Sequence, residues 1–132
     1  MEYVVLDTDV ASLSHKRRLP SSWETRLAGK APCVTFVTMG EMTQWAELPH
    51  WAPRARAGLD LWLDSVVMLQ YDEIVARTWG WLSAAAIRRG RKRPANDMWI
   101  AACCLAEGLP LATRNVKDFA DFEEHHGLML LG

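Results

Sequence analysis

Short apolar runs alternate along the chain with stretches whose apolar residues recur every three or four positions. Tyr3-Val4-Val5-Leu6 is uninterrupted and β-branched, as a buried strand is, and it stops at Asp7. A short helix is expected over 11–15. Ser21-Ser22-Trp23-Glu24 has the capping-box pattern and opens a second helix toward Ala28. Pro32-Cys33-Val34-Thr35-Phe36-Val37 predicts the second strand, followed by helices over 39–48 and 53–64. Val66-Val67-Met68-Leu69 predicts the third. Asp72 caps a long amphipathic helix in which Ile74, Val75, Trp79, Leu82 and Ala86 fall at helical spacing, ending near Gly90. Asn96 is positioned to cap a helix over 97–107, with Gly108 at its C-terminal turn. Pro110-Leu111-Ala112-Thr113 and Leu128-Met129-Leu130-Leu131 predict the fourth and fifth strands. Strands alternating with helices call for an α/β fold, a parallel sheet covered on both faces. Ligands of such sheets bind at the carboxyl ends of the strands.

At 132 residues the chain is expected to form one domain spanning 1–132, and its 50% hydrophobic content supplies a core. The formal net charge of −1 gives no global attraction to a polyanion, so any such site must come from local clustering. Cys33, Cys103 and Cys104 are odd in number and include an adjacent pair, which reads as reduced, buried thiols rather than a disulfide framework. No apolar run approaches the roughly 20 residues that span a bilayer. The start of the chain lacks a signal-peptide pattern. A cytoplasmic protein without a membrane partner is expected.

Four acids acquire meaning from this layout. Asp7 follows the first strand directly, Glu41 follows the second, Asp97 starts a helix and Asp118 lies past the fourth strand. All four therefore belong to one rim of the sheet. Crowded carboxylates raise each other's pKa, and a divalent cation removes that penalty. Oxygen-rich sites suit Mg2+ or Mn2+, whose chemistry is phosphodiester hydrolysis. Each acid also has a plainer explanation: Thr38-x-x-Glu41 fits a capping box, Asp97 a helix dipole, Asp118 a turn at Asn115-Val116-Lys117-Asp118. Asp7 is the hardest to explain by structure alone. Asp9, Asp60, Asp64, Asp72 and Glu73 are assigned to caps and solvated faces. Zinc and acyl-transfer motifs are absent from the sequence.

Together these segments resemble the PIN-domain nucleases. Val5-Leu6-Asp7-Thr8-Asp9 is similar to their opening motif and Thr38-Met39-Gly40-Glu41-Met42 to their second. Asn96-Asp97-Met98-Trp99-Ile100-Ala101-Ala102 is similar to the third, and Thr113-Arg114-Asn115-Val116-Lys117-Asp118-Phe119 to the fourth. Size and motif wording resemble the VapC toxins of bacterial VapBC toxin–antitoxin pairs. The resemblance implies a three-layer α/β/α fold with strand order 3-2-1-4-5 and magnesium-dependent endoribonuclease activity. It also implies a homodimer inhibited by a VapB-like antitoxin. It carries the metal-binding and catalytic roles onto Asp7, Glu41, Asp97 and Asp118, with Thr8, Thr113 and Asn115 orienting carboxylates or water. Gln44-Trp45 departs from the small or polar residues that family members often carry after the second motif, which bears on partner contacts. Three alternatives stand beside it. Asp7-Thr8-Asp9-Val10 resembles the Asp-x-Asp signature of haloacid-dehalogenase phosphatases, whose first Asp is a nucleophile, but Ala11 departs from it and no later Asp-Asp pair follows. A receiver domain needs an Asp after the third strand, where Leu69-Gln70-Tyr71 stands. A non-catalytic interaction module on the same fold is the other alternative.

Arg88, Arg89, Arg91, Lys92 and Arg93 form a cationic run just before Asp97, and Arg114 and Lys117 flank Asp118. These are candidate RNA-phosphate contacts, or else a basic helix end in solvent. Of the seven tryptophans, Trp79 and Trp99 fit helix core faces, while Trp45, Trp51 and Trp62 define a candidate groove for an antitoxin segment. His15, His50, His125 and His126 show no ligand spacing and are expected at the surface.

Overall fold

The computed structural model describes residues 2–48 and 53–132. Its elements, in chain order, are β1 (Glu2–Leu6), α1 (Thr8–His15), α2 (Ser21–Leu27), β2 (Lys30–Thr35), α3 (Phe36–Ala46) and α4 (Pro53–Ser65), then β3 (Val67–Leu69), α5 (Glu73–Arg88), α6 (Ala95–Glu107), β4 (Leu111–Ala112), α7 (Val116–His126) and β5 (Leu130–Leu131). The strands form one parallel sheet in the order β3-β2-β1-β4-β5. This is the order the family resemblance implies.

β1 lies at the centre, and Val4, Val5 and Leu6 are at most 1% exposed. Successive strand side chains point to opposite faces, so the run must be apolar throughout. Val4 and Leu6 join Val34 and Ala112 beneath α1 to α4, against Val10, Trp23, Met42, Leu59 and Leu63. Val5, Cys33 and Leu111 meet the other layer, where α5, α6 and α7 contribute Val75, Leu82, Met98, Ile100, Phe119 and Phe122. Each large side chain so buried stabilises the fold by roughly 1.5–3 kcal/mol relative to exposure. The three cysteines are free and buried within this second layer. Burial pushes the Cys103 thiol up to about 12, which keeps it protonated and unreactive. Trp79 and Trp99 stack with centroids 5.0 Å apart between α5 and α6, as their spacing predicts.

The structure departs from the sequence reading at several helix starts. β2 ends at Thr35, and Phe36 and Val37 already belong to α3. Thr35 caps that helix by accepting the Thr38 amide at 3.3 Å, so Thr38-x-x-Glu41 is not a capping box. The Ser21 box is not formed either: Pro20 occupies the cap of α2 without a side-chain hydrogen bond. At α6 the cap is Pro94, and Asn96 lies inside the first turn. Proline's fixed φ and its bias of the preceding residue set these two boundaries. Asp72 does cap α5, accepting the Val75 amide at 2.8 Å. α7 has no counterpart in the sequence reading. Its charged sequence hides an apolar side made by Phe119 and Phe122.

Candidate metal centre

The sheet register delivers the first acid. Leu6 sits opposite Ala112, and the Asp7 amide continues the ladder by donating to the Ala112 carbonyl at 3.1 Å. Asp7 and Thr113 are thus neighbours at the strand ends, where Thr113 Oγ1 donates to Asp7 Oδ2 at 2.6 Å. Asp7 Oδ1 accepts the Val10 amide at 2.8 Å, which makes Asp7 the N-cap of α1. Asp7 therefore has a structural duty as well. The Asn115 amide in turn donates to Thr113 Oγ1 at 2.9 Å, fixing the direction of the threonine hydroxyl.

Glu41 projects from the middle of α3. Thr8 Oγ1 donates to Glu41 Oε1 at 2.8 Å and lies 3.0 Å from Thr38 Oγ1, whose hydroxyl can donate back to it. Thr8 and Thr113 thus orient two different carboxylates. Asp97 comes from the first turn of α6 and is half-buried; Asp118 comes from the first turn of α7 and is exposed. All four acids line a single cleft of about 130 Å³, shared with Thr8, Asp9, Asn96 and Asn115 and with apolar Ile100 and Phe119. Asp9 and Asn96 are additions to the sequence-derived set. For Asp9 the sequence reading gives only a cap or a solvated face; its position two residues after Asp7, in the first turn of α1, is the signal that places it in the cleft. Its carboxylate pairs with Arg114 at 3.5 Å.

Two of the acids, Asp7 and Asp97, are held above the ordinary carboxylate range. Burial and then the negative charge of Asp118 raise the Asp97 carboxyl to about 6; Arg93 opposes this, while Glu41 and Asp7 add to it. Burial also raises Asp7, against the hydrogen bonds from Thr113 and Val10; Asp9 adds to the rise and Arg114 opposes it. An oxygen-rich cleft in which Asp7 and Asp97 are held above the ordinary carboxylate range, first by burial and then by acidic neighbours, fits a hard divalent cation. Among the described residues, the trio of ligand-type side chains gathered within 4.8 Å is Asp121, Glu124 and His125 on α7, not the cleft acids. The wider spacing in the cleft suits an ion that keeps several of its waters. In the α7 trio, Asp121 is instead engaged by Arg91 at 3.3 Å and Arg93 at 3.9 Å.

The cationic run therefore divides. Arg91 and Arg93 are tied to Asp121, and Arg89 lies 3.3 Å from His126 Nε2. Arg88, Lys92, Arg114 and Lys117 are exposed. Trp45 and Trp62 are half-buried against the core layer under α1 to α4, and Trp62 meets His15 edge-on at 6.0 Å. Trp51 and His50 lie outside the described residues. No helix among the described residues is long and apolar enough to cross a membrane.

Acids from four segments thus meet at the carboxyl rim of a parallel α/β sheet. The PIN domain model matches residues 4–124. Ribonuclease VapC2 of Haemophilus influenzae is 31% identical over 118 residues, covering 87% of this chain and 88% of that protein. The tRNA(fMet)-specific endonuclease VapC of Shigella flexneri is 29% identical over the same shares. Among solved structures, VapBC-5 of Mycobacterium tuberculosis, a toxin–antitoxin complex, superposes with a TM-score of 0.73 at 26% identity, covering 99% of this chain and 98% of that one. VapBC-1 of nontypeable H. influenzae gives 0.82 at 22% identity over 99% and 97%, a likeness of fold. The chain belongs to the PIN-domain family, in its VapC group.

Proposed function

We propose that this protein is a Mg2+-dependent endoribonuclease, able to use Mn2+, and the toxin of a toxin–antitoxin pair. The observation that carries the reading is the single cleft shared by Asp7, Glu41, Asp97 and Asp118. These four residues would hold the cation, which when bound supplies Lewis acidity toward a phosphodiester. The chain's own part is positioning. Thr113 and the Val10 amide fix both oxygens of Asp7, and Thr8 fixes Glu41, so the carboxylates need little reorganisation. Asn96 and Asn115 add neutral polar groups to the cleft. An Asp7 engaged at both oxygens suits a fixed ligand better than the nucleophile of a phosphatase. The family supports nuclease chemistry, and the relatives named as ribonucleases support RNA as substrate. Exposed Lys92, Arg114 and Lys117, with Arg88, supply positive charge for phosphates that the net charge of the chain does not.

The test is cleavage of labelled RNA with Mg2+, with and without chelator. Asp7→Asn and Asp97→Asn should each lower the rate on the order of a hundredfold or more. Cleavage that persists equally in both variants and in chelator overturns the reading.

Solved relatives that are toxin–antitoxin complexes support an antitoxin partner. A hollow of about 500 Å³ between α1 and α4, lined by Ser14, His15, Arg17, Gly58, Leu61 and Trp62, is a candidate seat for it. Leu61→Glu should weaken co-purification with the product of an adjoining antitoxin reading frame; unchanged capture moves the partner elsewhere.

A further inference from the structure

The sheet rim that carries the acids also carries a cluster of aromatic rings. The register of Val5 with Cys33, continued two residues further, sets Asp7 level with Thr35, and Thr35 is level with Leu69 of β3. Phe36 follows Thr35, and Tyr71 lies two residues past Leu69, so both stand at the rim beside the cleft. Trp99 joins them from α6, two residues past Asp97. That helix turns Asp97 and Ile100 to the cleft and Trp99 to α5, where it stacks on Trp79. Tyr71 meets Phe36 edge-on with centroids 5.9 Å apart and Trp99 at 5.7 Å, and Phe36 meets Trp99 at 5.8 Å.

Phe36, Trp79 and Trp99 are half-buried against the core, whereas Tyr71 is 58% exposed. One exposed tyrosine is ordinary. This one is braced by two rings, so little side-chain freedom is left to lose when a flat ligand lies on it. The neighbouring cleft supplies a reason for such a ligand. Four acids repel the backbone of an RNA strand, the chain has a formal net charge of −1, and Arg91 and Arg93 are tied to Asp121. Grip on the strand must therefore come partly from something other than charge. Base–aromatic stacking supplies it, because every base has a π-face. The ends of β1 and β3 are separated by two strand spacings, roughly 10 Å. A nucleotide adjoining one whose phosphate lies at Asp7 is thus within reach of Tyr71.

We propose that Tyr71, braced by Phe36 and Trp99, stacks on an unpaired base of the RNA whose phosphodiester lies in the cleft. The proposal rests on the nuclease reading and adds to it a preference for single-stranded RNA, since a base within a duplex must first be taken out of its stack. The platform and the cleft are continuous through the first turn of α6, which favours the RNA over a protein as the occupant. Tyr71 acts here as a positioning residue: it holds the strand by its base while the acids address the phosphate.

The test is binding of a single-stranded oligoribonucleotide carrying 2-aminopurine to the full chain in chelator, across a salt series. Binding should quench the 2-aminopurine emission. Tyr71→Ala should weaken it by roughly tenfold or more with the salt slope unchanged, because stacking releases no counterions. Tyr71→Phe keeps the ring and should bind like the parent. Tyr71→Leu keeps apolar cover over Phe36 and Trp99 without a π-face and should fall with Tyr71→Ala, which separates stacking from packing. Equal binding by Tyr71→Ala and the parent, or a Tyr71→Leu that binds like Tyr71→Phe, overturns the proposal. So does a Tyr71→Ala that binds RNA normally but no longer captures an antitoxin, which would assign the face to a protein. Cleavage with Mg2+ tells the two readings apart. A parent that leaves RNA intact sinks the nuclease reading and this proposal with it, whereas a parent that cleaves, with KM unmoved in Tyr71→Ala, sinks this proposal alone.

Discussion

Two aspartates in one cleft are held in different ways, and their substitutions should part accordingly. Asp7 caps α1 and takes the Thr113 hydroxyl, so Asp7→Ala removes a helix cap and strands a buried donor. It should cost about 1 kcal/mol or more in urea denaturation of the metal-free protein. Asp97 makes no comparable bond among the described hydrogen bonds, and its charge is disfavoured by burial first and then by its acidic neighbours. Asp97→Asn should therefore leave the metal-free protein as stable as the parent or more so, while abolishing cleavage, as residues kept for chemistry often do. The pH dependence has a definite sign. The folded chain holds the Asp97 proton up to about 6, above the ordinary carboxylate value, so between these values it binds more protons than the unfolded chain. Stability then falls as pH rises through that window. The advantage of Asp97→Asn over the parent should open as pH climbs from about 4 to about 6, and a flat difference would mean that the folded protein does not hold the Asp97 proton above the ordinary carboxylate range.

α7 shows what one unexpected element does to a charge reading. Asp121 is buried on it and binds Arg91 and Arg93, which removes two members of the cationic run from the list of free phosphate contacts. Asp121→Ala should lower stability by roughly 1–3 kcal/mol, because the half-buried Arg93 loses its counter-ion. Lys92→Ala should instead leave the melt unchanged and reduce the salt slope of RNA binding by about one. A larger salt effect from Arg93→Ala than from Lys92→Ala would reverse this division. Strands and the apolar helices were legible in the sequence because burial on both faces of a central strand leaves no choice of residue. α7 was not, since only Phe119 and Phe122 mark its inner side amid Asp, Glu, Lys and His. Helix starts were misplaced where Thr35, Pro20 and Pro94 took the cap from the more obvious Thr38, Ser21 and Asn96. Local cap preference is weak beside the sheet geometry that fixes where each chain segment turns.

At the scale of the molecule, the acids meet because parallel connections return every strand end to one rim, so positions up to 111 residues apart in the chain, Asp7 and Asp118, share a cleft. That much followed from the alternation of strands and helices; the inclusion of Asp9 and the pairing of Arg114 with it did not, because they depend on how α1 leaves β1. The convergence has a thermodynamic consequence. The fold gathers carboxylates that repel, and an ion binding only the folded state is linked to folding itself. Mg2+ or Mn2+ should therefore raise the melting temperature in a concentration-dependent way, corresponding to about 2.7 kcal/mol at a hundred times the dissociation constant. Protons compete for Asp97, so the rise should be smaller below about 6 than above it. Asp97→Asn and Asp7→Asn should lose most of the rise, and Asp118→Asn less, because Asp118 is exposed to water that can replace it. A melting temperature that climbs equally in Asp97→Asn would place the ion outside the cleft, and the charge crowding seen there would then be a cost of the fold with no ion to relieve it.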